Sequence, residues 1–328
     1  QRKSIFQYAL YQHKTEEGYI ALTIEKADGR KKEITSFTSM QEGKNVLGIV
    51  LGNGRFFTMR QDYKPYKIKT FGMPKMALQL VLEYADGSNE IIRTDDSWKL
   101  TTQGPIVSNN EYDGEEYDAR KELQDWSTSK FDDSAWKTAN YVQEPGGFYE
   151  AQMTPNMKVM TEVTPISIQP TKTGTYILDM GQNMVGWLQI KVKGNVGDKI
   201  TLRFAESLKS DGTLYRDNLR DAKATDVYIA KGHGVEFWEP RFVYHGFRFV
   251  EISGYTSKPE LSNFKGKMVY DAIKTVGDFE SSDATLNQIF KNAFWGISGN
   301  YKGMPIDCPQ RNERQPWLGD RTTGAYGE

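Results

Sequence analysis

Short runs in which apolar and polar residues alternate, each cut off by Gly, Asn, Asp or Pro, fill most of the first 270 positions of this chain. A period of two buries one face only when the run lies in a sheet. Repeated turn residues between such runs confine the chain to antiparallel sandwiches or barrels. Met76 to Tyr84 (MALQLVLEY) followed by Ala85, Asp86 and Gly87 predicts a strand entering a hairpin, and Trp187 to Val192 (WLQIKV) predicts another that stops before Gly194. The stretch 144–156 (EPGGFYEAQMTPN) holds two Pro and two Gly and has no period, so a domain boundary is expected there. The opening forty residues carry no motif. Between Gln7 and Lys32 they admit one strand or two.

Near residue 280 the period changes. Asp283 can cap a helix. After it Leu286, Ile289, Phe290, Ala293, Phe294 and Ile297 recur at steps of three and four, which predicts one buried helix face. Gly299 and Gly303 are expected to end that helix, and Pro305 and Pro309 to keep the next segment extended. One helix cannot bury its own apolar stripe. The expectation is therefore a mainly β chain of two sandwich domains, 1–148 and 149–271, whose last part, 272–328, enters a helical domain and is cut inside it.

Charge and cysteine usage exclude several function classes. Lys and Arg number 42 against 43 Asp and Glu, so no global field draws in nucleic acid or an anionic membrane. No apolar run approaches the roughly 18 residues needed to span a bilayer, and no leader precedes the first residues, as would also hold for a processed protein. The single cysteine, Cys308, rules out an internal disulfide framework and a multi-cysteine zinc site. His13, His233 and His245 are scattered, so metal catalysis has little to work with. His245, in a strand beside Tyr244 and Phe247, reads as a packed histidine, His233 as exposed in a Gly-rich turn, and Cys308 as a small buried hydrophobe. In Phe131 to Trp136 (FDDSAW), Trp136 reads as core and Asp132 or Asp133 as a turn cap.

Functional residue types are densest between Asp307 and Asp320, DCPQRNERQPWLGD. Asp307, Glu313 and Asp320 share this segment with Arg311, Arg314 and Trp317, and Pro309 and Pro316 forbid a continuous helix through it. The side chains therefore sit on a stiffened loop that leads into a second helix. Carboxylates hydrogen-bond sugar hydroxyls, an indole stacks on a pyranose face, and a protonated Glu can deliver a proton to a glycosidic oxygen. A charged interhelical loop laced by Arg-carboxylate pairs would have the same composition. The order of the residues separates the two.

That order resembles the signature of the bacterial α-L-rhamnosidases of glycoside hydrolase family 78, DCPQRDERLGWTGD, with ten of the fourteen positions matching. Asp211 to Thr225 (DGTLYRDNLRDAKAT), Trp238 to Tyr255 (WEPRFVYHGFRFVEISGY), Asn109 to Arg120 (NNEYDGEEYDAR) and Asn45 to Phe57 (NVLGIVLGNGRFF) resemble segments of the same family in the same order. The resemblance runs from about residue 45 to the end. It implies jelly-roll-like sandwiches, the first similar to the family's N-terminal domain, and an (α/α)6 catalytic barrel that opens near residue 272 and continues past residue 328. It further implies inverting hydrolysis of terminal α-L-rhamnosyl residues from a plant polysaccharide or glycoside. Glu313 would then be the general acid, and Asp307, Arg311, Trp317 and Asp320 would contact the departing rhamnose. The general base is expected outside these residues. No cofactor is required, the partner is a rhamnose-containing carbohydrate, and the compartment is periplasmic or extracellular.

A general acid near neutral pH needs a raised pKa, which cationic neighbours oppose. Arg314 is therefore expected to point away from Glu313, and Arg311 to serve Asp307, Asp320 or the substrate. Asn312 in place of Asp, and Gln315 and Pro316 in place of Leu-Gly, depart from the family pattern and suggest a different leaving-group environment, such as a branched or acidic polysaccharide. Asn109, Asn110, Glu111, Asp113 and Glu115 crowd oxygens around Gly114, and some relatives bind rhamnose through calcium in this part of the chain. A non-catalytic carbohydrate-binding module holding Ca²⁺ is thus the competing reading.

Overall fold

The computed structural model describes residues 19–25, 31–37, 46–55, 57, 73–84, 86–143, 152, 154–317 and 319–320. Two compact units gather them, and neither is contiguous: 1–52, 71–104 and 123–153 form one, and 53–70, 105–122 and 154–328 the other. The boundary expected at 148/149 lies outside the described residues. No helix among the described residues is long and apolar enough to cross a membrane.

In the first unit β1 (Tyr19–Glu25) pairs antiparallel with β2 (Lys31–Phe37), β3 (Gln79–Glu83) with β4 (Asn89–Arg93), and β5 (Lys99–Leu100) with β8 (Lys137–Thr138). The hairpin read around Asp86 and Gly87 joins β3 to β4. The Asp86 carboxylate accepts from the Ser88 N–H at 2.9 Å and hydroxyl at 2.6 Å, and Gly87 takes φ 82°. Trp136 is half-buried between Trp126, stacked at 6.4 Å, and Phe131, edge-on at 5.4 Å, while Asp132 accepts from the Ser134 N–H at 3.0 Å. The turn cap is as expected, whereas Trp136 stays half-buried, outside the buried core clusters.

The second unit holds β6 (Ile106–Asn110), β7 (Gly114–Asp118), β9 (Met157–Val163), β10 (Ser167–Pro170), β11 (Tyr176–Val192), β12 (Lys199–Ala205), β13 (Ser207–Leu208), β14 (Leu214–Tyr215), β15 (Thr225–Ile229), β16 (Glu236–Trp238), β17 (His245–Ser253) and β18 (Phe264–Asp271). Ten of these form one sheet in the order β6-β7-β15-β12-β17-β11-β18-β9, with β10 and β16 also on β11. All its pairings are antiparallel except β7 with β15. β11 is too long for one flat layer. Its first half lies between β10 and β17 and its second half against β18 and β16, with a register break between Asp179 and Met184. The sheet curls there and closes over Leu178, Leu188, Ile190, Leu202, Phe204, Phe247, Val250 and Ile252, each fully buried. Each such side chain stabilises the fold by roughly 1.5–3 kcal/mol. Gly186 makes the β11 to β18 pairing feasible: a Cβ there would lie 1.8 Å from the Lys267 carbonyl oxygen.

The helix α1 (Ala284–Asn300) begins where Asp283 predicts, its carboxylate accepting from the N–H groups of Thr285 at 2.7 Å and Leu286 at 3.3 Å. Its apolar stripe departs from expectation. Leu286, Ile289 and Phe290 are exposed, because the sheet reaches α1 only near its end, where Ser298 and Gly299 are buried and Gly299 lies against Val185. Gly299 therefore does not end the helix. The small residue is what lets the helix approach β11. The second helix expected after Pro316 lies outside the described residues apart from helical Gly319 and Asp320.

Candidate functional site

The chain leaving α1 is tied to β18 before it reaches the Asp307–Asp320 segment. The Asp271 N–H donates to the Tyr301 carbonyl at 3.2 Å, and the Asp271 carboxylate accepts from the Gly303 N–H at 2.7 Å. The segment then closes on itself. The Asp307 N–H donates to the Gln315 carbonyl at 2.9 Å, and the Gln315 N–H to Asp307 Oδ1 at 2.7 Å. Pro309 and Gln310 rest on Gly246 of β17, where a Cβ would meet Gln310 Cβ at 3.0 Å and Pro309 Cγ at 3.1 Å. A two-proline loop is thus seated on the sheet by a residue without a side chain.

Glu313 is the centre of this loop and is 5% exposed. Its Oε2 accepts from Arg311 Nε at 2.8 Å and from Arg220 Nη1 at 3.0 Å, and its Oε1 from Trp317 Nε1 at 3.2 Å. Arg311 also faces Asp307, Nη2 to Oδ2 at 3.5 Å. Glu313, Asp307, Arg311 and Trp317 therefore come together, as expected. Asp320 stands exposed at the end of the loop, its N–H donating to the Trp317 carbonyl at 3.3 Å, and no contact among the described residues ties its carboxylate to Glu313.

Arg314 turns away from Glu313, as predicted, and is completely buried. Its guanidinium lies 4.6 Å from the Tyr244 ring centre and 5.4 Å from that of Tyr112, and Nη1 donates to the carbonyls of Glu111 and Tyr244. Arg311 faces Asp307, one of its expected partners, but it does not keep off the acid. It bonds the Glu313 carboxylate directly, because a guanidinium two residues away on a tight turn reaches that oxygen and Asp307 with different nitrogens. The Asp307 carboxyl is pushed above the ordinary carboxylate range by burial, opposed by the N–H of Gln315 and the thiol of Cys308, with the charge of Glu313 adding to the rise.

Four residues from the other family-like segments, none of them marked as a site residue by the sequence, complete the setting. Arg220 reaches Glu313 from the segment between β14 and β15. The Tyr112 hydroxyl donates to the Glu313 carbonyl at 3.3 Å. Arg55 donates to the Arg314 carbonyl and pairs with Glu111 at 3.1 Å, and Tyr244 supplies a ring and a carbonyl to Arg314. Arg220 lies in the family-like segment Asp211 to Thr225, and what sets it apart within that segment is its backbone, φ 55° on a side-chain-bearing residue. That signal cannot be read from letters.

Asp307, Cys308 and Glu313 present ligand-type atoms within 4.8 Å of one another. The set does not suit a cation. Burial pushes the Cys308 thiol up to about 12, leaving it neutral, and two guanidinium groups already occupy Glu313. The five side chains crowded around Gly114 each accept from a protein donor: Asn109 takes the Asn53 N–H, Asn110 the Tyr112 N–H, Glu111 Arg55, Asp113 the Lys223 N–H, and Glu115 the N–H groups of Arg241 and Phe242. His245 is fully buried, 2.9 Å from Asp226 and stacked on Phe204 at 4.2 Å, and His233 is exposed.

Residues 30–161 match the family model described as alpha-L-rhamnosidase N-terminal domain. Residues 169–270 match the bacterial alpha-L-rhamnosidase concanavalin-like domain, and 274–327 the bacterial alpha-L-rhamnosidase 6 hairpin glycosidase domain. An alpha-L-rhamnosidase of Formosa agariphila is 40% identical over 304 residues, which cover 88% of this chain and 32% of that relative. The structure of alpha-L-rhamnosidase from Dictyoglumus thermophilum superposes with a TM-score of 0.78 at 43% identity, covering 84% of this chain and 30% of that one. The Streptomyces avermitilis alpha-L-rhamnosidase complexed with L-rhamnose gives 0.74 at 40% identity, covering 76% and 24%. The chain spans about a third of the length of the curated relatives it matches.

Proposed function

Because this chain belongs to the bacterial α-L-rhamnosidase family, we propose that it carries the proton-donating half of a glycoside hydrolase that removes terminal α-L-rhamnosyl residues with inversion, and that Glu313 is the donor. The observation that carries this reading is the convergence of Asp307, Arg311 and Trp317 on one buried carboxyl group. A buried carboxyl beside an indole is what protonating a glycosidic oxygen requires: little water competes, and the neighbouring ring offers a face for the sugar. Asp307, Arg311, Trp317 and Asp320 hold the departing rhamnose. The carboxylate that activates water in an inverting enzyme stands about 6.5–9.5 Å from the acid. In this reading it comes from residues outside this chain.

The test uses the full-length enzyme with an alkyl α-L-rhamnoside, a poor leaving group, and an activated aryl α-L-rhamnoside. Glu313→Gln should lower kcat on the alkyl substrate by about 100- to 10,000-fold and on the aryl substrate far less. Asp307→Asn, which alters sugar binding, should affect both alike. Equal losses from Glu313→Gln would remove it as the acid. Proton NMR of the wild-type reaction should show the β anomer of rhamnose first; the α anomer first would rule out inversion.

A further inference from the structure

The face of the sheet that seats the Glu313 loop carries a second group of polar side chains. Gly246 of β17 lies under Pro309 and Gln310, and its partner on β11 is Val185, which meets the end of α1 at Gly299. Residues opposite each other in an antiparallel pair present their side chains on one face, and so do residues two apart on one strand. Asn183 stands two positions before Val185. On the other flank of β17, Ala205 of β12 pairs with Phe249, and Glu206 is the next residue toward Gly246.

Glu206 links the two strands that flank β17. Its Oε1 accepts from Asn183 Nδ2 at 3.1 Å and its Oε2 from Asn218 Nδ2 at 3.1 Å. Asn218 belongs to the 3-10 turn Asp217–Leu219, which Leu219 pins in the core, and the residue after that turn is Arg220, 3.0 Å from Glu313. Three side chains from three separate segments thus meet beside the loop of the acid. A partly exposed carboxylate ordinarily turns freely in water or pairs with a cation. Here each oxygen is fixed by one amide N–H, and no cation among the described residues pairs with it. Arg248 of β17 is committed to Asp179, with Nε at 2.8 Å and Nη2 at 2.9 Å. Holding the Asn218 amide on Glu206 leaves its Oδ1 buried without a hydrogen-bond partner among the described residues, a cost to stability. Each oxygen of a carboxylate has about two acceptor sites, so one stays open on each. Two hydroxyls on adjacent carbons of a sugar ring can donate to that pair, flanked by the exposed carboxamide of Asn183.

We propose that Glu206, held by Asn183 and Asn218, is a specificity-determining residue that binds the sugar to which the departing rhamnose is attached. The inference rests on Glu313 being the acid. The contacts to rhamnose come from the loop of Glu313 itself. The sugar joined through the oxygen that Glu313 protonates therefore extends over the adjoining sheet face. The preferred substrate is an oligosaccharide or polysaccharide in which rhamnose caps another hydroxylated sugar, in preference to the rhamnoside of a flat phenol. Asn183 and Asn218 are positioning residues that act through the carboxylate they fix.

The experiment uses the full-length enzyme, a panel of methyl glucosides and galactosides carrying α-L-rhamnose on different hydroxyls, and the activated aryl α-L-rhamnoside. The quantity read is the ratio of kcat/KM on the disaccharide cleaved fastest to kcat/KM on the aryl substrate. Glu206→Gln removes the charge and one acceptor oxygen and should lower that ratio by about 10- to 100-fold, the usual worth of hydrogen bonds to a charged group. Asn183→Ala should lower it several-fold and, as a change at an exposed residue, keeps the test open if Glu206→Gln misfolds. Asp217→Asn, on the same turn as Asn218 but exposed, should leave the ratio where it is. A merely structural role would depress both substrates together. A ratio unmoved in either variant that folds, equal losses on both substrates, or a wild type that cleaves no disaccharide of the panel would overturn the proposal. Failure of Glu313→Gln to discriminate alkyl from aryl leaving groups would instead overturn the acid assignment itself.

Discussion

Arg314 is a fully buried cation whose carboxylate neighbour in sequence, Glu313, is not its partner. Its charge is met by two aromatic faces and two backbone carbonyls, and Nε and Nη2 have no hydrogen-bond partner among the described residues. Replacing it with Met fills much of the space but strips a donor from the Glu111 and Tyr244 carbonyls. Each buried acceptor left open costs roughly 1–3 kcal/mol, so Arg314→Met should lower unfolding free energy by about 2–4 kcal/mol, read from urea denaturation. A loss below about 0.5 kcal/mol would mean that the buried charge was itself so costly that removing it compensates. At this scale the site was half legible. Asp307, Arg311, Glu313 and Trp317 are legible as one cluster because they share a single loop and stand in the family's order. Arg220, Tyr112 and Arg55 were not, since they lie 93, 201 and 259 positions from the loop residues they bind. Long-range partners of this kind leave no spacing to read. The Arg311 to Glu313 bond is illegible for a different reason: one guanidinium reaches both Asp307 and Glu313 across a tight turn, a geometry that the order of letters does not state.

The junction of β18 with α1 decides where that loop starts. Lys302, 2% exposed, donates to the Val269 carbonyl of β18 and lies 5.5 Å from the Tyr244 ring centre. Burial lowers its pKa to about 7, the charge of Arg314 adds to this, and Asp271 opposes it. The folded protein therefore holds Lys302 neutral above about pH 7, while the unfolded chain keeps that lysine charged up to about 10.5. Stability from this group is full above the unfolded value and is lost as pH falls from about 10.5 to about 7, at up to ~1.4 kcal/mol per pH unit. Lys302→Met should remove that slope. Wild type should be clearly more stable at pH 10 than at pH 7.5, and the variant much less so, by urea midpoints at the two pH values. An unchanged difference would place the titration elsewhere. The elements themselves were readable where periodicity is strong: the Asp86-Gly87 hairpin, the strand through Trp187, and the capped start of α1. The burial of α1 was not. Three-residue periodicity states that a face is apolar, but a face is buried only if something packs on it, and the sheet meets only the second half of α1, through Phe294 on Tyr270, Trp295, Ser298 and Gly299.

A single pass along the chain also hides how its parts associate, because residues 105–122 fold into the unit that contains 154–328. Their β7 lies parallel to β15 and takes that strand's open edge, with Val227 opposite Glu116 and Ile229 opposite Asp118. Tyr112, Tyr117 and Ala119 enter the same core as Tyr228 and Trp238, and the Glu115 N–H donates to buried Asp226 at 3.0 Å. The excursion also supplies Tyr112 and Glu111 to the loop around Glu313. A chain of residues 154–328 alone would lose two nearly fully buried tyrosines, worth roughly 1.5–3 kcal/mol each by burial. It would also leave a sheet edge unpaired, the usual template for association with another chain. Against the roughly 5–15 kcal/mol that holds a domain together, such a loss is large. The shortened chain should therefore be aggregation-prone or melt well below the full one, and a peptide of residues 105–122 added during refolding should recover soluble protein. Equal melting temperatures for 154–328 and the full chain would show that the excursion is dispensable, and would deny it any part in holding the Glu313 loop in place.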